Sequence, residues 1–286
     1  MTSRPLPLWL AGAVVAGTFA LLLWLEGRRP LRPTVEPKGR RLARNLAVVA
    51  LSTAAVALTE RPAIGALSGL VAARRWGLLQ WASLPAALEV PLAVVLMDYT
   101  IYVWHVLTHR VPWLWRFHLV HHVDRDLDAS TALRFHFAEV AISIPWRAAQ
   151  VLVIGVSPLA FSVWQTALQV SILFHHSNVR LPLALERRLV RLVVTPRMHG
   201  IHHSTVRRET DTNWSSGLTL WDRLHGTLRL DVPQAEVTIG VPAYQAPADV
   251  ALPRLLALPF VRQHPSWPAD DPPQRARGAG RDELLA

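Results

Sequence analysis

An all-α integral membrane bundle of four or five membrane helices, with a cytoplasmic histidine-rich helical cap, is the fold class this sequence predicts. Three observations carry it. Hydrophobic residues make up 51% of the 286-residue chain and charged residues only 17%, and the apolar ones gather in long blocks, as in membrane proteins. The net charge of +10 is almost all arginine, since Lys38 is the only lysine, and the arginines flank apolar blocks. Eight of the thirteen histidines fall in three short boxes at helical spacings.

Leu6–Leu25 is uncharged for about 20 residues, enough to cross a ~30 Å hydrocarbon core. Its n-region holds only Arg4 and Gly27–Pro30 lacks a small-x-small cleavage pattern, so an uncleaved first helix is expected rather than a signal peptide. The following loop carries Arg28, Arg29, Arg32, Lys38, Arg40, Arg41 and Arg44 against Glu36 alone. Positive-inside bias makes it cytoplasmic. The same bias accounts for the basic pI, so no nucleic-acid partner is expected. Leu46–Leu58 is a second apolar segment of marginal length. Glu60–Ser83, with Pro62 and the Arg74–Arg75 pair, reads as a re-entrant or interfacial helix.

Leu84–Leu107 is a strong span despite Glu89 and Asp98, and it ends at the first histidine pair. Asp98, Tyr102, His105 and His109 follow at spacings of four, three and four, one polar stripe on an apolar helix. Ionisable groups inside a membrane are costly, which marks the stripe as functional. Val140–Phe174 is apolar with a turn at Gly155–Pro158. Each arm of about 16 residues would reach roughly 24 Å, a short or tilted hairpin, and Arg147 in the first arm implies a shallow or protein-facing position. The organisation expected is membrane helices and basic loop over 1–83, a catalytic region over 84–230 and a C-terminal extension over 231–286. The last twenty or so residues, rich in Pro, Ala, Arg and Asp, have the composition of disordered chain.

Parity then assigns sides. With the basic loop inside, the second helix runs outward and the third returns, bringing His105 and His109 to the cytoplasmic face. A hairpin keeps the later histidines on that face.

The boxes are HVLTH (His105, His109), HLVHH (His118, His121, His122) and HGIHH (His199, His202, His203). Positions i, i+3 and i+4 share a helix face, and two copies of one triplet plus a pair exceed what packing requires. With no cysteine, thiolate sites are excluded and imidazole is the remaining nitrogen ligand. The general-base glutamate of H-E-x-x-H is absent, because Val106, Leu107 and Thr108 separate the first pair. Eight imidazoles also exceed one tetrahedral ion. Two ions fit the count, and imidazole alone does not choose among Zn, Fe, Cu and Ni. Two other function classes stand beside redox catalysis: a non-redox membrane metal transporter, opposed by histidines gathered at one end, and a metal-dependent hydrolase, opposed by the missing base and nucleophile motif.

The boxes, together with Asp98 and Tyr102, LWRFHLVHHVD, TALRFH-x-x-E, HHSN, TPRMHGIHHS, TDTN and LWDRL-x-GT in that order, resemble the bacterial members of the fatty acid hydroxylase / sterol desaturase superfamily over about Leu84–Leu230. The resemblance implies a membrane oxygenase with two iron ions. It would use O2 and electrons from a separate donor (reductase, ferredoxin or cytochrome) to hydroxylate or desaturate a C–H bond. The substrate would be a lipid-like molecule reached through the bilayer: fatty acyl, sterol-like, carotenoid or ether lipid. It further implies His105, His109, His118, His121, His122, His176, His199, His202 and His203 as metal ligands. His136 would ligate or orient a ligand, although Phe137 replaces the family's usual proline, and His175 is left beside the ligand set. His225 stands where the family has an aromatic. A bacterial inner-membrane enzyme with its site facing the cytoplasm follows.

A metal-bound imidazole usually donates its second N–H to a carboxylate or carbonyl. Asp98, Asp124, Asp128, Glu139, Asp211 and Asp222 lie near the boxes and are candidates, as are Asn178 and Asn213, which alternatively serve as backbone caps. Among the twelve tryptophans, Trp104 is suited to a substrate slot and Trp113 and Trp115 to interfacial anchoring.

Overall fold

The computed structural model describes residues 4–267. The expectation of disorder in the last twenty or so residues therefore falls outside the described part. Among the described residues the chain is helical, with three isolated β-bridges and no strand.

Among the described residues, four stretches are long and apolar enough to cross a membrane: Leu8–Arg28, Lys38–Ala82, Ala86–Arg110 and Phe137–Ile154. Helix α1 (Leu8–Arg28) follows Pro7 and ends in the basic loop. Helix α2 (Lys38–Ala55) runs through a π turn, Val56–Glu60, directly into α3 (Arg61–Arg74). Here the expected separation of Leu46–Leu58 from Glu60–Ser83 fails. Pro62 sits in the turn that follows the π segment, where the Arg61 N–H bonds back to the Val56 carbonyl. The widened turn takes up the missing donor and the rod continues. After the short α4 (Leu78–Ala82), α5 (Ala86–Arg110) returns to the histidine end.

Val111 is extended (φ −95°, ψ 112°) and Pro112 opens α6 (Pro112–His122), because a residue before proline avoids the helical region. That one-residue break folds α6 back across the end of α5. Helix α7 (Phe137–Ile154) and α8 (Pro158–His176) form the expected hairpin. Gly155 ends α7 at φ 81° with its N–H on the Val151 carbonyl, a left-handed stop that glycine takes without strain. Ser157 caps α8, accepting the Ala160 N–H. Short helices α9 (Leu183–Leu189), α10 (Pro196–His202), α11 (Arg207–Thr210) and α12 (Leu220–Leu224) build the cap.

Two apolar cores flank the site. One, within the spans, joins Ile64, Val71, Met97, Val151 and Trp164. The other lies between α6 and the C-terminal segment, where Val241, Tyr244, Leu255 and Leu258 pack on Leu119 and Val120 of α6 and on Val123 just after it.

The basic loop lies at the histidine end, as parity requires. Arg28, Arg29 and Arg40 are exposed, but Arg32, Arg41 and Arg44 are not the solvent-facing charges that a flanking loop suggests. Arg41 is 0% exposed and Arg44 9%, because the segment after α6 brings up three carboxylates. Arg41 pairs with Asp126 and Asp128, and Arg44 with Glu36 and Asp124. Arg147 faces protein, as expected, and pairs with Glu60 at 3.6 Å.

Candidate metal centre

Ten imidazoles meet where α5, α6, α8 and α10 converge. Eight of them form two groups of four, each with ligand nitrogens within 4.8 Å of one another: His105, His109, His122 and His202, then His121, His176, His199 and His203. No carboxylate belongs to either group. The grouping divides the boxes, since His121 and His122 go to different groups, as do His202 and His203. A helix turns about 100° per residue, so neighbours in sequence aim apart. His122 and His203 join the two groups as nearly parallel rings 4.3 Å apart.

Backbone carbonyls set the ring orientations. The Nδ1–H of His105 donates to Trp214 O, that of His202 to Thr212 O and that of His176 to Ile172 O, each at 2.8 Å. A nitrogen facing a carbonyl must carry the proton, which leaves Nε2 of the same ring as an acceptor or ligand. In the first group, Nε2 of His109, His122 and His202 is buried with no hydrogen-bond partner among the described residues. In the second, Nε2 of His176 lies 3.0 Å from that of His121 and 3.1 Å from that of His199, which is 3.1 Å from that of His203. Converging, orphaned nitrogens are what a cation would satisfy.

For His121, His122, His199, His202 and His203 the surroundings favour the neutral, ligating form. Burial first, then the positive charge that neighbouring imidazoles would carry, holds His121, His122, His199 and His203 well below the usual imidazole range. Burial takes His202 down to about 3 against the opposing pull of the Thr212 carbonyl. Neutral imidazole is the form that binds a metal. The donor set therefore fits two cations of the nitrogen-preferring kind.

His118 and His175 belong to the cluster but to neither group of four. His118 donates from Nδ1 to Glu139 Oε1 at 2.7 Å, and its Nε2 is orphaned among the described residues. His175 lies 4.1 Å from His199, ring centre to ring centre. His136 stands apart: its Nδ1 accepts the Ala138 N–H at the start of α7, and its Nε2 faces Leu256 O.

The polar stripe on α5 splits by function. His105 and His109 enter the cluster. Asp98 accepts from Trp221 Nε1 at 2.7 Å and Leu218 N at 3.0 Å, and Tyr102 meets Thr227 at 3.1 Å while stacking on His225. Asp98 thus holds the loop before α12 and α12 itself, and Tyr102 the turn after it; the loop before α12 presents the Trp214 carbonyl to His105. Asp222 completes it by accepting from Trp214 N and Ser215 N. Asn213, at φ 55°, bonds Met198 O and Arg229 O, and Asn178 clasps the Arg32 backbone through both its side-chain atoms.

Asp124 and Asp128 contact the arginines behind α6 and no histidine. Burial alone would raise the Asp124 carboxyl, but the guanidiniums of Arg134, Arg41 and Arg44 hold it below the usual carboxylate range. Asp211 lies 3.8 Å from Arg110 and is partly exposed. Of the six carboxylates expected near the boxes, only Glu139 touches a cluster histidine. Trp115 is no interfacial anchor: it packs 5.0 Å from His109 and 5.3 Å from His122, while Trp113 is 56% exposed.

A cavity of about 230 Å³ opens from the cluster into the spanning helices. His105, His118, His121, His175, His176 and His199 form its inner end, and Trp104 lies in its wall. Sequence reading missed its deeper polar lining, Glu60, Gln165 and Gln169. Only Arg147, the one charge in its arm of the hairpin, signals that lining.

Residues 90–227 match the family model described as fatty acid hydroxylase. The chain is 34% identical over 188 residues to ornithine lipid hydroxylase OlsE of Rhizobium tropici, covering 64% of this chain and 53% of that protein. It is 31% identical over 142 residues to human alkylglycerol monooxygenase (47% and 29%) and 31% over 170 residues to human cholesterol 25-hydroxylase (53% and 60%). The match thus spans less than two thirds of each relative's own length. No solved structure matches.

Proposed function

Because residues 90–227 belong to the fatty acid hydroxylase family, we propose that the protein is a membrane oxygenase that hydroxylates or desaturates a lipid-like substrate. The catalytic region is the expected 84–230, and the histidine end faces the cytoplasm of a bacterial inner membrane. His105, His109, His122 and His202 would hold one iron ion and His121, His176, His199 and His203 the other, with the His118 ring next to members of both groups. When bound, the two ions supply activation of O2 with electrons from a separate reductase, ferredoxin or cytochrome. The chain's own residues do the rest. Carbonyls of Thr212, Trp214 and Ile172 fix the imidazole tautomers, and the mostly apolar cavity admits a chain from the bilayer while excluding bulk water.

The observation that carries this reading is the cavity. It meets both groups, through His105 on one side and His121, His176 and His199 on the other, and extends among membrane helices. A lipid C–H entering from the bilayer would reach the histidines of both groups. The test is purified protein in lipid nanodiscs, with metal content, O2 uptake with a supplied reductant and mass spectrometry of a bacterial lipid extract. About two irons per chain and a lipid gaining oxygen or losing two hydrogens are expected, and His121→Ala and His202→Ala should abolish turnover. Iron content and lipid oxidation unchanged in both variants would sink the reading. Lipid profiles of a deletion strain would then identify the substrate.

A further inference from the structure

We infer that the deep end of the cavity is a binding subsite for an uncharged oxygen function, a hydroxyl or carbonyl, on an otherwise apolar substrate. The inference rests on the oxygenase reading and supplies a substrate class for it. Arg147 lies two turns of α7 beyond Glu139, roughly 12 Å from the histidine end, and Gln169 and Gln165 lie roughly 10 and 16 Å before His176 along α8 at 1.5 Å per residue. All three line the cavity together with Glu60 and Trp164. An apolar tail alone would leave this lining unsatisfied inside the membrane, where unpaired polar groups are costly.

The polar groups there are incompletely paired. Arg147 meets Glu60 only at 3.6 Å and lies over the Trp164 ring at 4.5 Å. Its Nε and Nη1, and the Nε1–H of Trp164, have no hydrogen-bond partner among the described residues. Glu60 is delivered by the π turn that joins α2 to α3, a distortion that recurs at functional sites. Because Glu60 and Arg147 already neutralise each other, a carboxylate or phosphate would add an uncompensated charge in a low-dielectric setting. A hydroxyl can accept from Arg147 or Trp164 and donate to Glu60, and a carbonyl can accept from the same donors. The substrate then lies with this group deep and its reacting carbon, about 12 Å away, at the histidines.

The test measures saturable binding of radiolabelled 1-undecanol, undecane and undecanoate to the full chain in nanodiscs, above that of empty nanodiscs. A hydrogen bond to a charged group predicts that undecanol binds about tenfold tighter than undecane. Glu60→Gln/Arg147→Met removes both charges together and should cut that preference to about threefold or less, the part left to Trp164 and Gln165. Gln165→Leu changes no charge and should reduce it about threefold, on the order of a neutral hydrogen bond. Equal binding of undecanol and undecane, a preference untouched by these variants, or undecanoate binding tightest would each overturn the subsite. Metal content is measured on the same samples: its absence refutes the oxygenase reading while the binding comparison still decides the subsite.

Discussion

His118 and Glu139 meet at 2.7 Å, Nδ1 to Oε1, and this contact ties the first histidine of the α6 box to the first turn of α7. The carboxylate fixes the proton on Nδ1 and leaves Nε2, buried without a hydrogen-bond partner among the described residues, available as a ligand. Orienting partners of this kind typically govern metal retention by 10- to 100-fold. Glu139→Gln should therefore keep the fold and lose metal to a competing chelator at least about tenfold more readily. Retention equal to that of the unaltered protein would remove Glu139 from the centre.

The division of each triplet between the groups gives a stoichiometric prediction. His109→Ala should empty the first position and His203→Ala the second, each reducing bound metal from about two ions per chain to about one. The double variant should bind none. If either single variant loses both ions, the groups form one cooperative cluster rather than two independent positions.

The arginines behind α6 predict a stability contrast. Asp124 faces Arg44 at 3.2 Å and Arg134 at 3.1 Å in a fully buried setting. Removing one partner of such a network typically costs about 3–5 kcal/mol, because it strands the charges that remain. Asp124→Asn should be destabilised by that order. Asp211→Asn, whose partner is 3.8 Å away and 56% exposed, should lose less than about 1 kcal/mol. Unfolding monitored by circular dichroism in detergent compares the two, and similar losses would contradict the burial argument.

The sequence made the existence of the centre legible because histidine spacing, helix period and charge bias report it independently. Placement of the basic loop and all the boxes at one end followed from counting spans. The assignment of each histidine to a position was not legible. Same-face spacing groups His118 with His121 and His122, whereas the structure separates all three, since the fold-back at Val111–Pro112 decides which ring meets which partner. The carboxylates misled for a related reason. Nearness in sequence to a histidine box says little about contact once three buried arginines compete for Asp124, Asp126 and Asp128. The carbonyls of Trp214 and Thr212 leave no trace in side-chain identity at all.

Gly200, inside the HGIHH box, supplies the sharpest single-atom prediction. The guanidinium of Arg32 lies where a Cβ on Gly200 would stand, while Arg32 donates to Pro196 O at 2.6 Å and Gln234 Oε1 at 3.0 Å. Arg32 is only 6% exposed and so has little room to retreat. Overpacking of this kind costs about 1–3 kcal/mol, and Gly200→Ala should lose that much stability and shift α10, which carries His199 and His202. In an Arg32→Ala background the obstruction is gone, so Gly200→Ala should then cost little. A double-mutant cycle reads this coupling directly. Additive losses would mean that Gly200 serves the backbone of α10 itself rather than the arginine of the basic loop.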